Sequence, residues 1–334
     1  MGDPAGIGPE IIVKAWRHHE LFTLCRPIVV GSPAVLEQAA ARFHGQLRIA
    51  PLSSPEQIHD ISPSASILPC FSQGQDEASD VAPGTIDARS GESAYRSIFA
   101  ALDLVLSDRV SAIVTCPIHK EALQRAGHHY PGHTELLAER CGVDRFSMVL
   151  YMGPGVPLGG KHGLAVAHVT LHTAMRSIFS QITPEAVAAK AKLVHDLIRR
   201  LGCPKPRIGV CALNPHGGEG GLFGQEEQTI IAPGVAIARR EGLDLEGPLP
   251  ADTIMVRAQN GEFDAVVAMY HDQGHIALKL LGMHRAVNIT AGLPIVRTSV
   301  AHGTAFDIAW QGKADPSSLL EAVRTAALLA TRPR

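Results

Sequence analysis

The stretch Ala265-Val266-Val267-Ala268-Met269-Tyr270-His271-Asp272-Gln273-Gly274 decides the fold. Its first five residues form an apolar run too short for a helix and read as a buried strand. A histidine and an aspartate follow at once. The same grammar recurs twice. Residues 208–212 lead into Asn214-Pro215-His216-Gly217-Gly218-Glu219, and Leu164-Ala165-Val166-Ala167 ends on His168. Further short runs at 28–30, 112–115 and 146–152 read as strands.

Segments of helical period lie between these runs. Residues 90–106 place Tyr95, Ile98, Phe99, Leu102 and Val105 on one face. Thr183-Pro184-Glu185 gives a cap and then a proline at the first helical position, opening a helix to about Leu201. Residues 317–329 read as a C-terminal helix. Residues 2–10, from Gly2 to Glu10, read as a tight turn feeding a helix at Pro9, whose amino end suits an anion. The Ser/Pro-rich residues 53–79 read as an irregular surface connection, and residues 153–160 as a turn between two strands. Strands alternating with helices imply an α/β fold with a mostly parallel sheet.

At 334 residues the chain suggests about two lobes. Its 30 basic and 32 acidic residues give a net charge of −2, without the basic footprint of a nucleic-acid binder. With 4% aromatic residues, base-stacking platforms are also unexpected. Six scattered cysteines with no C-x-x-C pair read as reduced residues of a cytoplasmic protein. No apolar run reaches the ~18 residues of a membrane span, and no secretory leader is expected. Neither G-x-G-x-x-G nor G-x-x-x-x-G-K-[ST] occurs, so a dinucleotide, if one binds, does so without the Rossmann phosphate loop.

Seventeen histidines are the compositional oddity. In a parallel sheet the ends of the strands before His168, His216 and His271 lie on one side, where sites are built. Three neutral imidazoles with an open position suit a catalytic divalent metal. Asp272 is then a further ligand, a group that orients an imidazole, or a base. Singly, each histidine has a bland structural alternative. A second constellation suits an anion: Lys279, Asn288 and Arg297 sit in or after apolar runs, and Thr134 is expected to cap a helix opening at His133. Arginine offers a planar fork, and lysine a point charge, to phosphate or carboxylate.

Together these segments resemble the 4-hydroxythreonine-4-phosphate dehydrogenase family of vitamin B6 (pyridoxal phosphate) biosynthesis. The stretches are GDPAGIGPEI at 2–11, TCPIHKEAL at 115–123, YPGHTELLA at 130–138, LNPHGGEGGLFGQEE at 213–227, PADTI at 250–254, YHDQGHIALKLLG at 270–282 and VNITAGLPIVRTSVAHGTAFDIA at 287–309. The resemblance implies a two-lobed α/β/α fold similar to isocitrate and isopropylmalate dehydrogenases. The first lobe is expected at 1–125 plus 285–334 and the second at 126–284. The active site is expected in the cleft between them, shared across a homodimer. The implied metal ligands are His168, His216 and His271, one of them from the partner subunit. Zinc is the expected metal, with cobalt, manganese or magnesium as alternatives. The implied substrate residues are His133, Thr134, Lys279, Asn288 and Arg297. The segment with His302, Gly303, Thr304 and Asp307 is similar to the adenosine loop of isopropylmalate dehydrogenases and implies NAD or NADP.

The implied reaction is oxidation and decarboxylation of a 4-phosphorylated 3-hydroxy acid. HDQGH, with His275, and the Phe306–Trp310 loop end resemble the branch acting on 4-phospho-D-threonate or 4-phospho-D-erythronate. The other branch acts on 4-phosphohydroxy-L-threonine. The family also carries a hydrophobic strand of about five or six residues ahead of the glycine turn, where this sequence begins. Two other enzyme classes fit the residues: a tri-histidine metallohydrolase and a phosphate-acetyltransferase-like enzyme. A non-catalytic binding protein is the blandest alternative.

Overall fold

The computed structural model describes residues 1–72, 74 and 78–332. In chain order the strands are β1 (Val29–Val30), β2 (Arg48–Leu52), β3 (Ile67–Phe71), β4 (Ile113–Thr115), β5 (Ser147–Met152), β6 (Leu164–His168), β7 (Arg207–Cys211), β8 (Asp244–Leu249), β9 (Ala265–Ala268), β10 (Ala286–Ala291) and β11 (Arg297–Val300). The chain forms two compact units, Met1–Asp144 with Leu293–Thr331, and Arg145–Gly292 with Arg332. Residues 126–144 thus belong to the first unit and 285–292 to the second, which moves both expected boundaries. The reason for the second shift is pairing: β10 lies antiparallel to β5, residue for residue from Ala286↔Met152 to Ala291↔Ser147. Among the described residues no helix is long and apolar enough to cross a membrane.

In the first unit β1 and β2 flank β3 in parallel, and β11 runs parallel to β4. Residues 53–79 are therefore not merely a connection. They hold β3, buried from Leu68 to Phe71, which the surrounding Ser and Pro residues masked in the sequence. The helix Gly8–Ala15 is buried on nearly every side and packs Ile11, Ile12 and Val13 into the core. Its buried Glu10 accepts from Lys14 Nζ at 2.8 Å and from the Ala314 N–H at 2.9 Å, so this charge is paired where it is desolvated. The helix Ala88–Leu106 is capped by Asp87, which accepts from the Arg89 N–H at 2.8 Å.

The N-terminal turn packs against the segment 302–310. Trp310 Nε1 donates to the Pro4 carbonyl at 3.1 Å and Ile7 N–H to the Thr304 carbonyl at 3.0 Å. At Gly6 a Cβ would lie 3.1 Å from Thr304, so glycine permits the approach. A cavity of about 370 Å³ lies in this unit, lined among others by Val29, Ile113, Trp16, Ile98 and Leu319. Met1 stands at its wall, with its amine donating to the Val30 carbonyl at 2.8 Å, and Asp3 N–H donates to Pro117 at 2.9 Å.

The second unit is a sheet in the order β10-β5-β6-β9-β7-β8. The pairs β10/β5 and β5/β6 are antiparallel, the latter joined by the expected turn at 153–160. The pairs β6/β9, β9/β7 and β7/β8 are parallel. Val166, Ala167, Val266, Val267, Ile208 and Val210 are fully buried, which explains why these strands read as continuous apolar runs. The helix Pro184–Arg200 covers them with Val187, Ala191, Val194 and Ile198, and Thr183 caps it by accepting from the Ala186 N–H at 3.1 Å.

Because the walls of the cavity at Met1 are mostly apolar, an extended apolar segment of five residues joined ahead of Met1 should enter it. Each buried aliphatic side chain is worth about 1.5–3 kcal/mol. Calorimetry should place the Tm at least about 5 °C above that of a Gly/Ser extension of equal length. Equal Tm values would show that the cavity does not take a strand.

Candidate active site

Parallel pairing brings β6, β9 and β7 to a common end. His168 closes β6 opposite Ala268 of β9, His271 begins the helix His271–Gly282 after β9, and His216 follows β7. Gln273 ties two of these exits together. Its Oε1 accepts from the Met269 N–H at 2.7 Å and its Nε2 donates to the Ala212 carbonyl at 2.8 Å.

His168 is fully buried, and His275 nearly so. Nδ1 of His275 lies 3.1 Å from Nε2 of His168, and the His275 ring stacks on His271 with centroids 3.8 Å apart. His172 adds a fourth ring, 5.9 Å from His271. Burial first, then its histidine neighbours, hold His168 well below its ordinary pKa. Burial, His271 and Lys279 push His275 down to about 4. Both imidazoles are therefore neutral at pH 7, the form that donates a lone pair. Gly274 makes the packing possible, since a Cβ there would lie 2.5 Å from His168 Nε2.

Two of the expected ligands carry a carboxylate on Nδ1. Asp272 Oδ1 is 2.6 Å from His271 Nδ1, and Glu219 Oε1 is 3.1 Å from His216 Nδ1. Such pairing leaves Nε2 as the free donor. This donor set fits a divalent metal. Among the described residues, however, no three His, Cys, Asp or Glu side chains of the chain converge to hold one. His168 and His271 stand together, with ring centroids 6.2 Å apart. His216 stands outward, its side chain 65% exposed, on a loop whose residues 216–220 all have positive φ. Left-handed backbone at His216 (φ 52°) and Glu219 (φ 46°) costs roughly 1–2 kcal/mol each.

The anion-binding candidates are spread over both units. In the first, Arg297 is 3% exposed and its Nη2 donates to Thr115 Oγ1 at 2.6 Å. Burial lowers its pKa to about 10, opposed by Glu135, so it remains a buried cation. Burial, then the Arg297 charge, keeps His133 neutral, well below its ordinary pKa. Thr134 lies inside the helix His133–Arg140, and Gly132 occupies the cap position expected of it. In the second unit Lys279 lies two turns after His271 on one helix, and Asn288 sits on β10 opposite Leu150. The segment carrying His302, Gly303, Thr304 and Asp307 has a left-handed Ala305 (φ 44°), and Gly303 has no heavy atom within 4 Å of where a Cβ would stand. The backbone there is open to close approach.

The description "Pyridoxal phosphate biosynthetic protein PdxA" matches residues 23–326. The chain belongs to the PdxA family. A D-threonate 4-phosphate dehydrogenase of Cupriavidus necator is 45% identical over 333 residues, 99% of this chain and 96% of its own. A 4-hydroxythreonine-4-phosphate dehydrogenase of Desulforapulum autotrophicum is 41% identical over 332 residues, covering 99% and 94%. The crystal structure of a 4-hydroxythreonine-4-phosphate dehydrogenase from Klebsiella pneumoniae is similar with a TM-score of 0.86 at 41% identity, covering 99% and 98%. With full-length relatives that are dehydrogenases, this PdxA protein is an oxidoreductase acting on a CH–OH group.

Against that family background, His172 and His275 are the residues that sequence reading left unassigned. A signal existed for His275: it stands four residues after His271, hence on the same helical face. None existed for His172, which reaches His271 only through the fold.

The neutral state of His133 has a pH signature. Its folded pKa lies below 6.5, so the unfolded chain binds the extra proton and stability is lost as pH falls below about 6.5. Asp3 acts oppositely: burial raises it from 3.8 to about 6, so the stability it adds is lost as pH rises across that interval. Comparison with a His133→Gln variant cancels the Asp3 contribution. Denaturant titrations should show a larger stability loss between pH 7.5 and 5.5 in the parent than in the variant. Parallel curves would place a protonated His133 in the folded state.

Proposed function

We propose that the protein is a metal-dependent, NAD(P)-linked dehydrogenase that oxidises and decarboxylates a 4-phosphorylated 3-hydroxy acid, with D-threonate 4-phosphate as its substrate. The observation that carries the metal is the donor set: imidazoles at parallel strand ends, that of His168 buried and neutral, with carboxylates on the Nδ1 atoms of His216 and His271. The substrate rests on the similarity to the Cupriavidus enzyme and on the HDQGHIALKLLG stretch.

His168, His216 and His271 would hold the metal, and the segment His302, Gly303, Thr304 and Asp307 the nicotinamide cofactor. When bound, the metal supplies Lewis acidity at the C3 hydroxyl, and the cofactor is the hydride acceptor. The chain's own residues do the rest. Arg297 presents a desolvated cation to one anionic end of the substrate, which strengthens the pairing. Lys279 and Asn288 hold further oxygen atoms. Neutral His133 donates or accepts without adding charge, and Thr134 offers its hydroxyl. Asp272 holds His271 in one tautomer, which sets it as an orienting group rather than the base. Oxidation removes the C3 hydride and the hydroxyl proton. The resulting β-keto acid loses CO2, leaving dihydroxyacetone phosphate.

The reading includes a homodimer. Ile276, Leu280 and Met283 form an exposed apolar face on and just past the helix that carries His271 and Lys279, and Leu222 and Phe223 are exposed beside the His216 loop. A second copy covering these side chains would remove them from water. It would also let the outward His216 serve the partner's histidines.

NADH absorbance should rise with D-threonate 4-phosphate faster than with D-erythronate 4-phosphate or 4-phosphohydroxy-L-threonine, and a chelator should abolish it. His216→Ala should remove turnover, and Arg297→Met should lower kcat/KM about 10–100-fold. Absence of NADH, and of NADPH when NADP is supplied, with all three acids would overturn the dehydrogenase assignment and favour a hydrolase or a transferase.

A further inference from the structure

The loop that presents His216 is held from behind. Residues 216–220 run through five consecutive left-handed conformations, outside any regular ladder. They form one 3₁₀ stretch, Pro215–Gly221, at whose ends Gly217 N–H donates to the Asn214 carbonyl at 3.2 Å, Leu222 N–H to the Glu219 carbonyl at 3.4 Å and Phe223 N–H to the Gly218 carbonyl at 3.1 Å. Behind them lies Glu227, 3% exposed, at the start of a short π-helical turn, Glu227–Ile231. Its Oε1 accepts from the N–H groups of Leu213 at 2.8 Å and Asn214 at 2.7 Å. Its Oε2 accepts from Asn214 Nδ2 at 3.0 Å, an amide that Glu226 Oε2 also holds at 2.7 Å. Gly218 rests on the same carboxylate: a Cβ there would lie 2.7 Å from Oε2.

We propose that Glu227 is the positioning residue of the His216 loop, its buried carboxylate fixing the exit of β7 and the left-handed run so that the imidazole projects outward as a ligand. Glu219 then sets the ring tautomer, and Glu227 sets where the ring stands. Its partners are backbone N–H groups and one amide, so the demand is for an acceptor of the right length rather than for charge. Glutamine retains one carbonyl oxygen for the two N–H groups; alanine leaves both facing a void, with the Asn214 amide held by Glu226 alone. The inference rests on the reading of His216 as a metal ligand, and its test separates the two.

Cobalt(II) affinity, by competition with a chromophoric chelator, and the visible cobalt spectrum are to be compared for His216→Ala, Glu227→Ala and Glu227→Gln in the full-length protein. Glu227→Ala should lose about 10–100-fold in metal affinity and change the cobalt bands, approaching His216→Ala. Glu227→Gln should stay within about threefold of the parent. Parent-like affinity and spectrum in Glu227→Ala, with only a lower Tm, would reduce Glu227 to a structural residue and overturn the proposal. If His216→Ala binds cobalt normally, the metal reading fails instead. Amide exchange across 213–221 in metal-free protein then decides the positioning role. Fast exchange at Leu213 and Asn214 in Glu227→Ala, restored by Gln, supports it, and retained protection in Glu227→Ala sinks it.

Discussion

The side-chain amide of Gln273 spans the ends of two parallel strands, accepting from the Met269 N–H and donating to the Ala212 carbonyl. Each residue keeps one backbone bond, Ala212 N–H to the Leu249 carbonyl at 2.7 Å and Thr170 N–H to the Met269 carbonyl at 3.1 Å, and the amide takes its other main-chain group. Left alone, each would carry the desolvation cost of an unmet polar group, about 1–3 kcal/mol. A glutamate could not donate, and a leucine could neither donate nor accept. Because the amide does both, the departures of β7 and β9 are locked at one level. The loop bearing His216 and the helix bearing His271 start from that fixed floor.

The two units solve the problem of buried polarity in opposite ways. The second keeps its buried imidazoles neutral by desolvation and mutual proximity, which makes them lone-pair donors. The first keeps a buried cation, Arg297, and sets a neutral histidine beside it. A buried cation is costly in the free protein. That cost makes an arriving phosphate or carboxylate a partner of unusual value. Lone-pair donors and a buried cation are thus products of the same device, desolvation, applied to groups of different charge.

Much of this was legible in the amino-acid sequence. Strands buried on both faces announce themselves as unbroken apolar runs, so β5, β6, β7 and β9 were readable, and with them the three histidines at their ends. β2 and β3 were not, because Pro51 and Pro69 interrupt their apolar pattern and serines crowd the flank. The cap of the helix at His133 fell to Gly132 rather than Thr134, one turn position that local propensity does not separate. Full-length similarity to PdxA relatives agrees with the resemblance carried by the motifs. The contacts of His172 and Glu227 were hidden for a different reason. Each meets its neighbours only through the fold or around a loop, and composition carries no record of such contacts.

Gly274 has a consequence of another kind. The helix that starts at His271 passes so close to β6 that the space for one methyl group is already occupied by the His168 ring. Position 274 is thus a volume reserved for a side chain belonging to another element. Every other amino acid would compete with His168 for the same few cubic ångströms. A chain that drifts at this position would have to move its own buried imidazole to keep its sheet and its helix.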